Sequence, residues 1–246
     1  MIRSVKELRH VMIKATDGGI GFVEQVFFDD EKWTIRYLVV DTGEEFAHRR
    51  VLVSPMAVIS QHGEPPVSID VRLNRRQVAN GPDIDTEKPV SRQKELELSR
   101  FFLLPPYWGS SGIWGSQMLP EGLLSLSQPI PADHQEAADV HLRSSREVTG
   151  YRVQGKDGKI GHVEDFLYDE KNWCIRYIEV DTRLWIFGHH FLVPPELVQA
   201  VEWDERTIFV DLPVDAVRSA PTYSSLASLT PEFEARLRAY YDNAWR

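Results

Sequence analysis

A few residue groups in this chain have the types and spacing that chemistry uses. His189-His190 is the pair that most resembles metal ligands. Adjacent strand residues point to opposite faces, so the two imidazoles are not expected to chelate one ion together. Asp41 and Asp181 stand in corresponding places, each before a threonine. Paired carboxylates do acid–base work only when one cleft holds both. Each of these lies at its own strand end, where accepting hydrogen bonds from its own turn is the expected role. Gly18-Gly19-Ile20-Gly21 lacks the third glycine of a phosphate loop and runs into a strand, not a helix. A hairpin turn followed by a strand glycine at a bend fits it better. Arg49 and Arg50, with Arg72, Arg75 and Arg76, make the early part of the chain locally basic. An RNA surface would interleave such charges densely with aromatic residues, so these read as a solvated face. Cys174 falls mid-strand, where its counterpart is Thr34, and no Gly-x-Ser-x-Gly elbow is present. No catalytic, cofactor-binding or metal-ligating residue is therefore assigned. The chain reads as non-enzymatic, and no cofactor is expected.

These residues are positioned by a duplication. Asp17–Thr42 (DGGIGFVEQVFFDDEKWTIRYLVVDT) returns 140 positions later as Asp157–Thr182 (DGKIGHVEDFLYDEKNWCIRYIEVDT). The register extends from Ser4 and Ser144 through Pro55 and Pro195. One residue is then lost, and at an offset of 139 Leu73 matches Leu212, Leu98 matches Leu237, and Phe101-Phe102 matches Tyr240-Tyr241. Two copies are fewer than a solenoid needs, so this is a tandem duplication. The organisation expected is repeat 1 over residues 1–108, a linker over 109–143, and repeat 2 over 144–246.

Each copy is β-rich. Asp17-Gly18 and Asp157-Gly158 are hairpin dipeptides flanked by apolar alternation. Ile20–Phe28 and Trp33–Asp41 read as paired strands, with Asp29-Asp30-Glu31-Lys32 turning between them. Trp33, Ile35 and Tyr37 share one face while Leu38 and Val40 share the other, so a bulge or bend is expected near Tyr37. Further strands are predicted at Arg50–Val53, Met56–Gln61 and Val67–Leu73. Short strands at even spacing suggest a small barrel. A helical tail follows: Thr230 is a suitable N-cap before Pro231, and Phe233, Leu237, Tyr240 and Tyr241 form one apolar stripe. The fold class is mainly β, two small tandem barrels each with a short α-helical tail. A barrel this small buries little core alone, which favours keeping a covering helix and a second copy. In the linker, Pro105-Pro106-Tyr107-Trp108-Gly109 and Gly112-Ile113-Trp114-Gly115 precede Leu119, Leu123, Leu124 and Leu126. The aromatic residues have two readings, intramolecular anchors or a docking site for another chain.

Composition narrows the partners. Of the 246 residues, 42% are hydrophobic and 26% charged, ordinary for a globular chain. One cysteine excludes an internal disulfide framework and a cysteine-based zinc cluster. The net charge of −9 lies mainly in the second half and gives no general attraction for phosphate backbones. Met1–His10 has no apolar core of the secretory type, and no apolar run approaches the roughly 18 residues of a membrane span. A cytoplasmic location is expected.

Taken together, Asp-Gly-x-Ile-Gly-x-Val, Trp-x-Ile-Arg-Tyr-x-x-Val-Asp-Thr and Val-Leu-Val-Ser-Pro resemble a PRC-barrel domain over about residues 4–80 and 144–219. That domain is similar to the cytoplasmic part of the photosynthetic reaction-centre H subunit and the C-terminal domain of ribosome-maturation factors. After Val-Asp-Thr, relatives carry a Trp–Gly-like segment, which Trp185 and Gly188 fit and Glu45-Phe46-Ala47-His48 does not. The resemblance implies barrel-forming rather than catalytic motif residues and a module that docks onto larger assemblies. The expected partner is a protein, in a membrane-associated or ribosomal assembly, with the two barrels forming an internal pseudo-dimer. Ribosome or RNA association is the alternative, and homo-oligomerisation is left open.

Overall fold

A computed structural model of the chain describes residues 1–82, 90–108, 111–124, 142–182 and 190–244. Leu126, Gly109, Trp185, Gly188 and His189, singled out above, lie outside them. The strands are β1 (Ile2–Ser4), β2 (Met12–Ala15), β3 (Gly18–Asp29), β4 (Thr34–Asp41), β5 (Arg50–Val53), β6 (Val58–His62) and β7 (Ser68–Val71). Helices α1 (Arg75–Ala79), α2 (Arg92–Phe102) and α3 (Pro120–Leu124) follow. The second copy has β8 (Leu142–Ser144), α4 (Ser145–Val148), β9 (Arg152–Gln154), β10 (Lys159–Asp169), β11 (Ile175–Asp181), β12 (His190–Val193), β13 (Val198–Glu202) and β14 (Thr207–Val210). It ends with α5 (Val214–Arg218) and α6 (Pro231–Ala244). The protein is mainly β, with two seven-stranded sheets of matching order: β5-β4-β3-β2-β7-β6 and β12-β11-β10-β9-β14-β13.

The local chemistry follows the sequence. Asp29 Oδ1 accepts from the amides of Glu31 and Lys32 at 2.9 and 3.0 Å, which makes the turn between β3 and β4. Gly21 is a place where only glycine fits, since an added Cβ would lie 1.9 Å from the carbonyl oxygen of Asp41. Met56 and Ala57, expected to begin a strand, instead lie in a 3-10 turn over Pro55–Ala57. Pro55 presets the turn dihedral, and Ser54 Oγ accepts from the Met56 amide at 3.2 Å. The tail helices start where predicted: Thr230 Oγ1 accepts from the Phe233 amide at 3.2 Å, and Phe233, Leu237 and Tyr241 are buried.

The expected bulge is present in both copies. Phe27 pairs with Tyr37 and Phe28 with Ile35, which leaves Arg36 as the extra residue. Leu167 pairs with Tyr177 and Tyr168 with Ile175, which leaves Arg176. A bulge re-aims one side chain out of the alternating pleat, so each Ile-Arg-Tyr sequence directs an arginine away from the strand's normal pattern.

The repeats run in order along the chain, but the compact units trade their first strands. The first unit comprises Val5–Arg146 with Glu170–Cys174; the second comprises Met1–Ser4, Glu147–Asp169 and Ile175–Arg246. In the first unit β8 pairs antiparallel with β3, and in the second β1 pairs antiparallel with β10. Chemically equivalent bonds secure both: Ser144 Oγ donates to Gln25 Oε1 in the first unit, and Ser4 Oγ donates to Asp165 Oδ2 in the second. Leu142 of β8 is fully buried in a cluster with Phe27, Tyr37, Val39, Leu52, Val90 and Leu98. We predict that Leu142→Ala lowers stability by about 2–5 kcal/mol, as expected of a large-to-small core change. Chemical denaturation would measure it, and the exposed Ile59→Ala serves as a control with little effect.

Candidate functional site

The bulge arginine of the first unit is the centre of its most elaborate polar cluster. Arg36 is 1% exposed, and its Nε and Nη2 donate to Asp29 Oδ2 at 3.2 and 2.9 Å. A buried cation needs its remaining donors satisfied, and Arg36 Nη1 reaches the carbonyl oxygen of Ile113 at 2.7 Å. The guanidinium lies 3.9 Å from the ring centroid of Tyr107 and 4.7 Å from that of Trp114. Rings stacked on a desolvated guanidinium add cation–π attraction to the burial of their own area.

The segment around Tyr107 and Trp114 is therefore bound to the face of the first sheet. Tyr107 OH donates to Glu95 Oε1 on α2, and Trp114 Nε1 donates to the carbonyl oxygen of Asn172 at 2.7 Å. Trp108 packs against Arg92, its ring centroid 4.6 Å from the guanidinium carbon. The tight loop requires Gly112, where a Cβ would lie 2.4 Å from the Gly115 carbonyl oxygen. Helix α3 then packs on the Pro55–Ala57 turn, with Leu123 fully buried. The aromatic residues Tyr107 and Trp114 are thus intramolecular anchors within the first unit, which removes the basis for reading them as a free docking site. Met118 and Leu119 remain exposed.

Burial governs the titration of this cluster. It pushes Glu95 up to about 7, against the opposite pull of the Arg92 guanidinium, the Tyr107 hydroxyl and Arg36. Burial, with the Glu95 carboxylate beside them, also raises the hydroxyls of Tyr37 and Tyr107.

In the second unit, Arg176 and Tyr177 line an open cavity of about 330 Å³. Its walls come from the turn after β12 (Pro194, Glu196 and Leu197) and from α6 (Arg238, Tyr241 and Asp242). The two tyrosine hydroxyls are already used: Tyr177 OH donates to Glu234 Oε1 and Tyr241 OH to the carbonyl oxygen of Leu192, both at 3.0 Å. They offer ring surface rather than free polar groups.

The remaining sequence candidates do not converge. Asp41 Oδ1 accepts from the Gly43 amide at 2.8 Å and contacts His48 Nδ1 at 3.1 Å, which is a turn-stabilising role. Arg49 donates to the carbonyl oxygens of Ala79 and Gly81, Arg50 pairs with Glu24 at 2.9 Å, and Arg75 pairs with Glu45. Arg50, Arg72 and Arg76 of the basic group are exposed. His190 Nδ1 hydrogen-bonds Glu179 Oε1. Among the described residues no three His, Cys, Asp or Glu side chains group as metal ligands. No described helix is long and apolar enough to cross a membrane. Sequence reasoning missed Arg36 and Arg176. Their signal was an arginine retained in both copies inside an otherwise apolar strand.

The matching strand orders and bulges characterise the scaffold, and one part of it resembles a known family. The model of the PRC-barrel domain matches residues 141–217. The match spans the second copy from β8 through most of α5, and so includes the bulge arginine Arg176. The first copy repeats its strand order around Arg36. PRC-barrel domains are in general binding and assembly modules rather than catalysts. A search of the curated proteins finds no match.

Two outcomes follow for this face of the first unit. Arg36→Ala leaves Asp29 buried without its counter-charge and should cost about 3–5 kcal/mol, a loss that denaturation would quantify. Trp114 emission should shift to the red as the segment loosens. Glu95 takes up a proton on folding, because its folded value of about 7 lies above the ordinary 4.5. Its contribution to stability is therefore greatest below that ordinary value and is lost as pH rises to about 7. Glu95→Gln should flatten the slope of Tm against pH across this window.

Proposed function

We propose that this protein is a non-enzymatic binding and assembly module whose barrel faces hold peptide segments of proteins. The observation that carries the reading is that the first unit already does so. Tyr107 and residues 111–124 pack on the first unit, anchored by rings on a buried arginine, by a carboxylate on the tail helix and by a short helix on the Pro55–Ala57 turn. A surface of this kind recognises a chain by burying aromatic side chains around a few fixed polar groups. The general binding role of PRC-barrel domains supports the same reading. The relation to the reaction-centre H subunit enters as the finer form of this proposal, an assembly on a membrane-bound complex. The engagement of Arg49 by backbone carbonyls and of Arg75 by Glu45, with the net charge of −9, weighs against the RNA alternative.

The experiment is reciprocal capture of the intact tagged chain and its principal co-purifying protein, followed by reconstitution of the complex from the two purified components. A stoichiometric complex that survives nuclease treatment is expected. Recovery of nucleic acid instead, with no protein that reconstitutes, would overturn the reading.

A further inference from the structure

The two copies correspond residue by residue: Arg36 to Arg176, Tyr37 to Tyr177 and the Pro55–Ala57 turn to Pro195–Leu197. On the tail helices Glu95 corresponds to Glu234 and Phe102 to Tyr241. A strand tyrosine stands beside a tail-helix glutamate in both copies: Tyr37 beside Glu95, and Tyr177 donating to Glu234 Oε1 at 3.0 Å. The elements that hold Tyr107–Leu124 in the first unit therefore have direct counterparts around the cavity of the second.

We infer that the cavity of the second unit, floored by Arg176 and the rings of Tyr177 and Tyr241, binds a peptide segment of a partner protein that places a Trp or Tyr side chain on Arg176. This rests on the binding-module reading and names its site. A volume of about 330 Å³ falls at the lower end of ligand cavities and suits aromatic side chains better than a large cofactor.

The rim says what should flank that ring. Met56 and Ser99 are buried in the first unit, at 2% and 4% exposure. Their counterparts, Glu196 and Arg238, are exposed charges at the mouth of the cavity. The floor is retained while the rim changes from apolar or neutral to charged. The segment that fits the first unit is thus a partial match for the second, and the preferred occupant carries a basic residue toward Glu196 and an acidic one toward Arg238. Charge complementarity of this sort also keeps the chain's own apolar segment from competing for the second face.

The test uses the intact protein and two fluorescently labelled peptides. One has the sequence of residues 104–124; the other carries Leu123→Lys, which sets a cation where α3 would meet Glu196. Saturable anisotropy changes are expected for both, with the lysine peptide the tighter by several-fold. Arg176→Ala should weaken both by about tenfold, and Trp114→Ala in the peptide by a similar factor. Glu196→Lys, a change at an exposed position that spares folding, should abolish the advantage of the lysine peptide. Absence of saturable binding by either peptide up to about 1 mM would overturn the site. So would binding indifferent to both Arg176→Ala and Glu196→Lys, since the peptide would then be entering elsewhere. If the site fails while the partner complex still reconstitutes, the binding-module reading stands and only its location is wrong.

Discussion

The first unit depends on one buried cation. Arg36 is taken out of water at a strand bulge, and its charge is tolerated only because Asp29 faces it and Ile113 accepts its last outward donor. Asp29 in turn is held by two amides of the turn that joins β3 to β4. The same guanidinium is the platform for Tyr107 and Trp114, and through Tyr107 it is coupled to Glu95 on the tail helix. A turn, a strand pair, a helix and a long connecting segment thus share a single electrostatic centre. Removing any one partner leaves the others with an unmatched buried group.

Duplication lets this centre be used in two ways. Both copies keep the bulge, the adjacent tyrosine and the tail-helix glutamate. Around the first, the chain supplies its own aromatic cover; around the second, charged residues leave a cavity open. Such a division agrees with the general role of PRC-barrels as binding modules.

The sequence carried the scaffold well because its signals are local. The Asp17-Gly18 turn, the strand over Ile20–Phe28 and the Thr230-Pro231 helix start each concern neighbouring residues, and all are found where expected. The break in alternation near Tyr37 correctly announced a bulge, but not which residue it would expel. That depended on pairing between Phe27–Phe28 and Ile35–Tyr37, which alternation alone does not reveal. Arg36 was hidden for a further reason: in a linear reading an arginine between Ile35 and Tyr37 looks like an outward strand position. Its burial comes from Tyr107 and Trp114, some 70 positions away. The linker aromatics allowed two readings, anchor or docking site, because their target was not visible. The division of strands between units was also beyond a local reading, because Ser4 and Ser144 carry no mark of which sheet they will join.

That division has a consequence for the order in which the protein is made. Ser144 bonds Gln25 across 119 positions, and Ser4 bonds Asp165 across 161. During synthesis at about 5–20 residues per second, β3 therefore spends several seconds with the edge that will accept β8 still bare. The partner of β1, strand β10, is likewise made only much later. Such distant pairings form slowly, since the loop must close before the contact is gained. The nascent chain consequently passes through a stage in which both ends of the exchange are open, and it is then, rather than in the finished fold, that a chaperone or a neighbouring copy of the chain has its opportunity.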